Sequence, residues 1–482
     1  MTNTNIVTTP HLLSPVNNLW GNLYVLSNAT YTATNFKYVT KLYVNGSYVI
    51  KELLPPRPTT GYGNYSGYVP IKTSLSYDLN PSITTFAYAT NSIARYNINY
   101  GEEWNPDLQL ESVFALVAGP ATWWGFSFST PHGLTAGDII NIQSQNPYYG
   151  GTQTVSAFSL SNNAFRTDRQ FTSLSAVNTG YISDVYRVAG TSDTYWAYNG
   201  TRQYDEPTID FSSIIFKTSS LITPRFITNY PNGLTSVNDL KNGKPILENS
   251  RETLSAFVYP GTYSLNVALY SPTFSFQSNA SYTFNVTSAA SMSRIDLPVG
   301  TYNLRNSSMG ISFSNVGAYY VYLTGAGGYN WSGSPSQVRA YQINRNCYAY
   351  ANVRLMFLNK WGAFDYQDFH LDDKKSYKIN KTEYKQELAW NYSIGDRNRT
   401  ILSQQVQEEH VVNSDWLNED QYAWLNELLV SPEVYMIDEG TGYIYPIIVT
   451  DKNWEFKTAF RNQIFNLTLT YEMSYPLDVI NQ

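Results

Sequence analysis

Any chemistry performed by this chain has to come from few residues. Its four histidines, His11, His132, His370 and His410, stand far apart, and its one cysteine is Cys347. His370 has acidic neighbours, in a run that includes Asp365, Asp368, Asp372 and Asp373. A metal site built there would want a second ligand cluster at helical or hairpin spacing. The sequence supplies none, so the run reads as acids capping a hairpin after Trp361 and Gly362, and neither a metal nor a cofactor is expected. No Gly-x-Ser-x-Gly elbow, phosphate loop, dinucleotide fingerprint or His-Glu-x-x-His occurs. Paired carboxylates for glycoside hydrolysis remain open, because such pairs meet in space rather than in sequence. Asp365, Asp368, Glu408 and Glu409 are candidates, and they read equally as ordinary acids of loops and strand ends.

The aromatic residues offer a second kind of chemistry, recognition by stacking. Tyrosine occupies 42 of the 482 positions and tryptophan 11, while charged residues make up only 14%, against roughly 25% in ordinary soluble domains. Tyr and Trp bring large contact area at small entropy cost and suit interfaces; β-rich proteins also use Tyr simply as a strand residue. Trp123, Trp124, Trp196 and Trp331 could stack on sugar rings or pack in cores. Tyr62 and Tyr65 lie in a Gly/Tyr-rich loop, 61–68, that is either a contact surface or plain connection. Trp196, Trp331, Tyr62 and Tyr65 are the candidate contacts for a glycan or a partner. The formal net charge of −6, without a clustered basic face, argues against nucleic-acid recognition. A single cysteine excludes an intramolecular disulfide framework and suits a reducing cytoplasm. The first residues lack the basic and apolar regions of a signal peptide, and nowhere do 18 or more apolar residues run together, so a chain that neither is secreted classically nor inserts in a membrane is expected.

The elements that must position these residues are most legible in the last third, 345–475. Trp424, Leu425, Leu428 and Leu429 recur at three- and four-residue spacing, one face of a helix over 418–430. Asn418 can cap its first turn while Gln421 reaches back, Leu417 and Tyr422 stand where a hydrophobic staple would, and Glu419 and Asp420 favour the positive end of the dipole. Ser431-Pro432 stops the helix. Phe465, Leu467, Leu469 and Tyr471 alternate with polar residues as in a strand with one wet face. One helix laid on a sheet follows, with Trp424, Leu425, Leu428, Leu429, Trp361 and Phe364 as candidate packing or oligomer contacts. Upstream, Asn45-Gly46 marks a tight hairpin, 129–142 reads as a turn, a Gly-Asp corner and an alternating strand, and 252–286 carries four strands of sandwich type. The fold class is therefore mainly β: sandwiches at 1–120 and 251–340, a small β-barrel insert at 121–184, an irregular β connection at 185–250, and a β-sandwich with one α-helix at 341–482. A faint likeness of 38–46 to 350–362, both aromatic strands ending in Asn and Gly, reads as chance or as two copies of one sandwich.

Two resemblances refine this. The run His132-Gly133-Leu134, then Gly137-Asp138, then alternating apolar residues, within 123–182, resembles the small barrel named for the first-catalytic-cysteine half-domain of ubiquitin-activating enzymes, an accessory module in phage tail proteins. It implies a spacer or docking module. Tyr348-Ala349-Tyr350, then 354–366, then 424–435, resemble structural proteins of tailed bacteriophages, most closely large tail proteins of Bacteroidetes-infecting phages, including the crAss-like group. Strands, one helix ending in Ser-Pro, then two long strands is also the order of the tail-tube-like domain. The resemblance implies a non-enzymatic virion tail protein, of hub, distal-tail or tube-like kind, made in the host cytoplasm. It would form a cyclic homo-oligomer with sheet edges pairing between neighbours, and other tail, neck or fibre proteins would dock on it. A host-polysaccharide adhesin and a tail-spike-type glycan depolymerase are the alternatives, with a host surface glycan as partner.

Overall fold

The computed structural model describes the chain except residues 1–3, 18–22, 29–34, 107, 119–120, 145–147, 162, 172–179, 201–213, 217–224, 232–242, 288–291, 326–335, 346–351, 452–465, 477 and 482. The described residues are mainly β, in several sheets, with three α-helices of 6, 6 and 12 residues. They gather into two units, Met1–Ser76 with Ile93–Tyr198, and Tyr77–Ser92 with Asn199–Gln482.

In the first unit the strand Ile93–Trp104 is central, pairing with Lys37–Val44, Tyr181–Thr191 and Tyr195–Tyr198. Lys37–Val44 turns back into Ser47–Leu54 through Asn45 (φ 51°) and Gly46 (φ 83°). A two-residue hairpin turn needs both residues left-handed, which is why Asn-Gly occupies it. Tyr24, Leu42, Tyr96 and Ile98 fill one core of this unit, and Trp104, Trp124, Phe126, Ile140 and Phe165 another.

The barrel expected at 121–184 is not present as a closed ladder. Its strands follow one another in an open order, Ala121–Ser127, Ala164–Gln170, Gly151–Ser161, Ile139–Gln143 and Tyr181–Thr191. One run of chain reaches both ends of that order, Leu108–Gln109 pairing with Tyr181 and Ile182 and Ser112–Ala118 with Ala121–Ser127, and it changes partner where Leu110 N donates to Gly180 O (2.9 Å) and Glu111 N to Ser127 O (2.9 Å). The Gly-Asp corner is real. The Asp138 carboxylate accepts from Thr135 N (2.8 Å) and from Arg187 Nε and Nη2 (2.8 and 2.7 Å), and Arg187 Nη1 also reaches Glu102 at 3.3 Å. Burial raises the Glu102 carboxyl, although the Thr4 hydroxyl and Arg187 pull it down.

The second unit is layered. A five-stranded sheet, in the order Lys244–Leu247, Arg339–Asn344, Ala318–Gly325, Gly261–Tyr270 and Phe276–Val286, faces a four-stranded sheet containing Thr253–Val258 and Ser293–Pro298. Leu254, Ala256, Ile295 and Leu297 from one meet Leu265, Val267, Tyr319 and Val321 from the other. Thr253–Val258 is buried at all six positions, so its other face is covered too. The cover is a third sheet, where Val353–Leu358 pairs with Phe364–Phe369 and with Val434–Ile437, which continues through Ile444–Val449 to Thr468–Met473. The helix Glu419–Val430 lies on the far side of that sheet.

Alternation assigns the two faces of this third sheet. Met356, Leu358, Phe364 and Tyr366 form one cluster, and the Tyr366 hydroxyl meets Thr253 Oγ1 at 2.7 Å on the sandwich side. Leu355, Phe357, Phe369, Val412, Leu469 and Tyr471 form the other, with Trp424, Leu425 and Leu428 of the helix. The helix start is the expected one: Asn418 Oδ1 accepts from Gln421 N (2.8 Å) while Gln421 Oε1 accepts from Asn418 N (3.2 Å), satisfying two donors that a helix end leaves open.

Candidate assembly site

The charged residues of the third sheet do two different jobs, one in the interior and one at the surface. In the interior Arg354 is the hub. Its Nη1 meets Asp368 Oδ2 at 2.6 Å, its Nη2 meets Glu252 Oε2 at 2.6 Å, and its Nε lies 3.2 Å from Glu439 Oε1. Lys244 Nζ joins Glu252 at 2.7 Å and Arg251 joins Glu439 at 3.2 Å. Three cations thus face three carboxylates. Burial alone would pull Arg354 down, but Asp368, Glu252 and Glu439 outweigh it and hold the guanidinium well up. Such a closed set links Val353–Leu358 and Phe364–Phe369 to the sandwich with matched charge, the condition under which ions tolerate an interior.

Asp365 leaves the opposite face, as a residue three positions from Asp368 on a strand must. Its Oδ2 accepts from Trp424 Nε1 at 2.9 Å, and burial raises it. The helix therefore hangs on this strand by a hydrogen bond as well as by packing. Glu427, one turn on from Trp424, accepts from Asn229 Nδ2 (2.8 Å) and Lys360 N (3.0 Å), and burial, followed by the nearby Asp365, pushes its carboxyl up to about 7.

The surface element is a hairpin arm. Asp372–Lys385 and Arg399–Asn413 pair from Asp372↔Asn413 to Lys385↔Arg399. At its root the second strand is also held by Thr468–Met473 and farther out by Asp478–Asn481. Past Ser403↔Asn481 the arm is two-stranded. His410 fixes the root: its Nδ1 lies 2.9 Å from Asp373 Oδ1, its Nε2 lies 2.8 Å from Glu408 Oε1, and its ring stacks on Tyr471 with centroids 4.9 Å apart. Lys375 pairs with Glu408 and Lys378 with Glu409. The tip is ordered by its own turns, Gln386 N donating to Asn398 O and Ser393 N to Asp396 Oδ2. It presents Trp390 at 95%, Tyr392 at 62% and Ile394 at 106% exposure. These large apolar side chains stand almost fully in water and are grouped within five residues, which makes them the candidate contact surface.

The candidates expected from the sequence fall elsewhere. Trp424, Leu425, Leu428 and Phe364 are buried within the chain, so of the two roles expected for them they pack the core and do not contact a neighbouring subunit; Leu429 and Trp361 are half-buried. Others need correction. Trp196 and Tyr65 are also buried, which removes them as glycan contacts, whereas Tyr62 is exposed. Trp331, Cys347 and Phe465 lie outside the described residues. Asp365 and Asp368 belong to a buried strand rather than to a loop, with every described bond directed inward. Glu408 and Glu409 hold the arm root. Asp365 and Asp368 leave opposite faces of one strand, and so do Glu408 and Glu409. Among the described residues, a pocket of about 190 Å³ between Arg225, Tyr230, Gln337, Arg339 and Trp361 is lined by no carboxylate. Its Arg339 donates to the carbonyls of Tyr230 and Thr228, and burial lowers it to about 10. Among the described residues no three His, Cys, Asp or Glu side chains converge as metal ligands, and no helix is long and apolar enough to cross a membrane.

The arm tip is missed by the sequence reading. Its signal is present all the same: Trp390, Tyr392 and Ile394 alternate with Asn391 and Ser393 between two strongly charged strands.

No family model matches the chain, and no curated protein does. Among solved structures it is similar to a phage phi92 endosialidase at 11% identity and a TM-score of 0.14, over 98% of this chain and 69% of that one. It is also similar to dimeric latent PorU from Porphyromonas gingivalis at 10% identity and a TM-score of 0.15, over 72% of this chain and 34% of that one. At these values neither likeness bears on fold or function.

Proposed function

We propose that this chain is a non-enzymatic structural component of a bacteriophage tail, of the hub, distal-tail or tube-like ring kind, that works as a cyclic homo-oligomer. The observation that carries the reading is the arm, a charged stem ending in Trp390, Tyr392 and Ile394. A two-stranded stem is marginal by itself in water, and a fully exposed Trp gains most when it enters a partner's pocket. A tip that seats on a different surface of its neighbour makes a head-to-tail contact, which closes into a ring where the rotation between neighbours closes. The order of strands, helix, Ser431-Pro432 and strands in 344–475 supports the tail assignment through its resemblance to the tail-tube-like domain.

The manner of pairing departs from an edge-to-edge ring. The outer strand of the arm carries five lysines, Lys374, Lys375, Lys378, Lys381 and Lys385, and lysine on an edge discourages pairing with another strand. The arm docks by its tip. Other tail, neck or fibre proteins are the further partners of the assembled ring, and the virion tail is where it resides. Electron microscopy of the purified full chain and of particles tests this: closed rings of the chain are expected, and a chain that is monomeric, or sits outside any ring in the particle, overturns it.

A further inference from the structure

The second unit has another edge that a lone chain would not leave as it is. Three described strands of eight residues or more end a sheet: Ser47–Leu54, Phe276–Val286 and Asp372–Lys385. The first carries Lys51 and Glu52, and the third is lysine-rich. Phe276–Val286, with the sequence FQSNASYTFNV, has eleven residues and neither a charge nor a proline. The opposite edge of the same sheet, Lys244–Leu247, is short and carries Lys244 and Pro245. Natural sheets guard exposed edges with charge, proline or shortness; here one edge is guarded in all three ways and the other in none.

Among the described residues the strand pairs only with Gly261–Tyr270, which leaves alternate N–H and C=O groups along its other side without a ladder partner there. Its faces are sorted by parity. Ala280, Tyr282, Phe284 and Val286 join the sandwich core, while Gln277, Asn279, Ser281, Thr283 and Asn285 are exposed. Phe276, at 57% exposure, is apolar surface left at one end.

We infer that this edge is a β-pairing interface whose occupant is the same strand of a second copy, antiparallel about a two-fold axis at Ser281. The pattern is self-complementary in that register. Ser281 faces Ser281 and Asn279 faces Thr283 on the wet side. Ala280 meets Tyr282 and Ser278 meets Phe284 on the core side; a bulge at Gln277 ends the register there, and Phe276 pairs with Tyr270 and lies against its ring on the opposite face. Like charges directly opposite one another destabilise a strand pair. Self-pairing would set Lys and Glu side chains of the other two long edges near their own copies, and this strand alone among them brings no charge to its own copy. The inference is independent of the ring reading, since a two-fold contact joins copies whether or not the arm closes them into rings.

The test uses the full chain with the arm tip silenced (Trp390→Ser and Ile394→Ser), so that arm-mediated association is absent, and follows mass by sedimentation from micromolar to millimolar concentration. The two-chain mass is expected. Ser281→Lys in that background places two lysines face to face and is expected to halve the mass with an unchanged circular dichroism melt. An equimolar mixture of the Ser281→Lys and Ser281→Glu chains is expected to regain the two-chain mass, because only the two-fold register sets position 281 opposite itself. A chain that stays single throughout, a Ser281→Lys chain that still pairs, or a mixture that does not recover would each overturn the proposal.

Discussion

Arg354 and Glu252, 102 residues apart in sequence, meet at 2.6 Å with side chains only 1% and 2% exposed. Neither could stand there alone, because an unpaired buried charge is far costlier than the pair. Arg354→Ala leaves Glu252, Asp368 and Glu439 without their shared cation and is expected to cost about 3–5 kcal/mol of stability. Denaturant unfolding of the full chain measures this, and a loss below about 1 kcal/mol, within the range of an exposed pair, would show that the network does not hold the layers together.

The helix gives two separable numbers. Leu428 is fully buried against the third sheet, so Leu428→Ala should cost about 2–5 kcal/mol. Asn418→Ala, at an exposed cap that satisfies one backbone donor, should cost about 0.5–2 kcal/mol. If the two costs came out equal and small, the helix would not be packing as described.

Glu427 sets a pH dependence whose sign is the reverse of a salt-bridged acid. Its folded carboxyl titrates near about 7 against an ordinary 4.5, so between those values the folded chain keeps a proton that the unfolded chain has released. The stability tied to that proton is fully present below about pH 4.5, falls as pH rises through about 7, and is then gone, a loss of about 1–3 kcal/mol for this half-buried group. The melting temperature of the wild type should therefore decline over that window more steeply than that of Glu427→Gln. Parallel curves would remove Glu427 as the cause.

What the sequence reveals and what it hides follows from the range of the interactions involved. The helix at 418–430 is legible to its cap, because Asn418, Gln421 and the apolar spacing act within a few residues. The Asn45-Gly46 turn is legible for the same reason. The destination of the apolar face is not: Trp424 and Leu428 announce burial, and only the fold shows that the cover is Leu355 and Phe357 of the same chain. Asp365 and Asp368 look like loop acids because the partners that make them tolerable in the interior, Arg354 for Asp368 and Trp424 for Asp365, stand on other elements, 14 and 59 residues away. Trp390, Tyr392 and Ile394 have the period of a half-wet strand, and the topology alone places both faces of that segment in water. The partner exchange at Leu110 and Glu111 carries no residue signal, so the local pattern suggests a closed barrel where the ladder stays open.

The arm tip is where the functional account is most exposed to disproof. Negative-stain imaging of the purified full chain, beside the Trp390→Ser, Ile394→Ser double variant at equal concentration, measures the claim directly. The account predicts closed rings from the wild type and species no larger than two chains from the variant, with the same melting curve for both. Rings formed equally well by the variant, or none formed by the wild type, would contradict it.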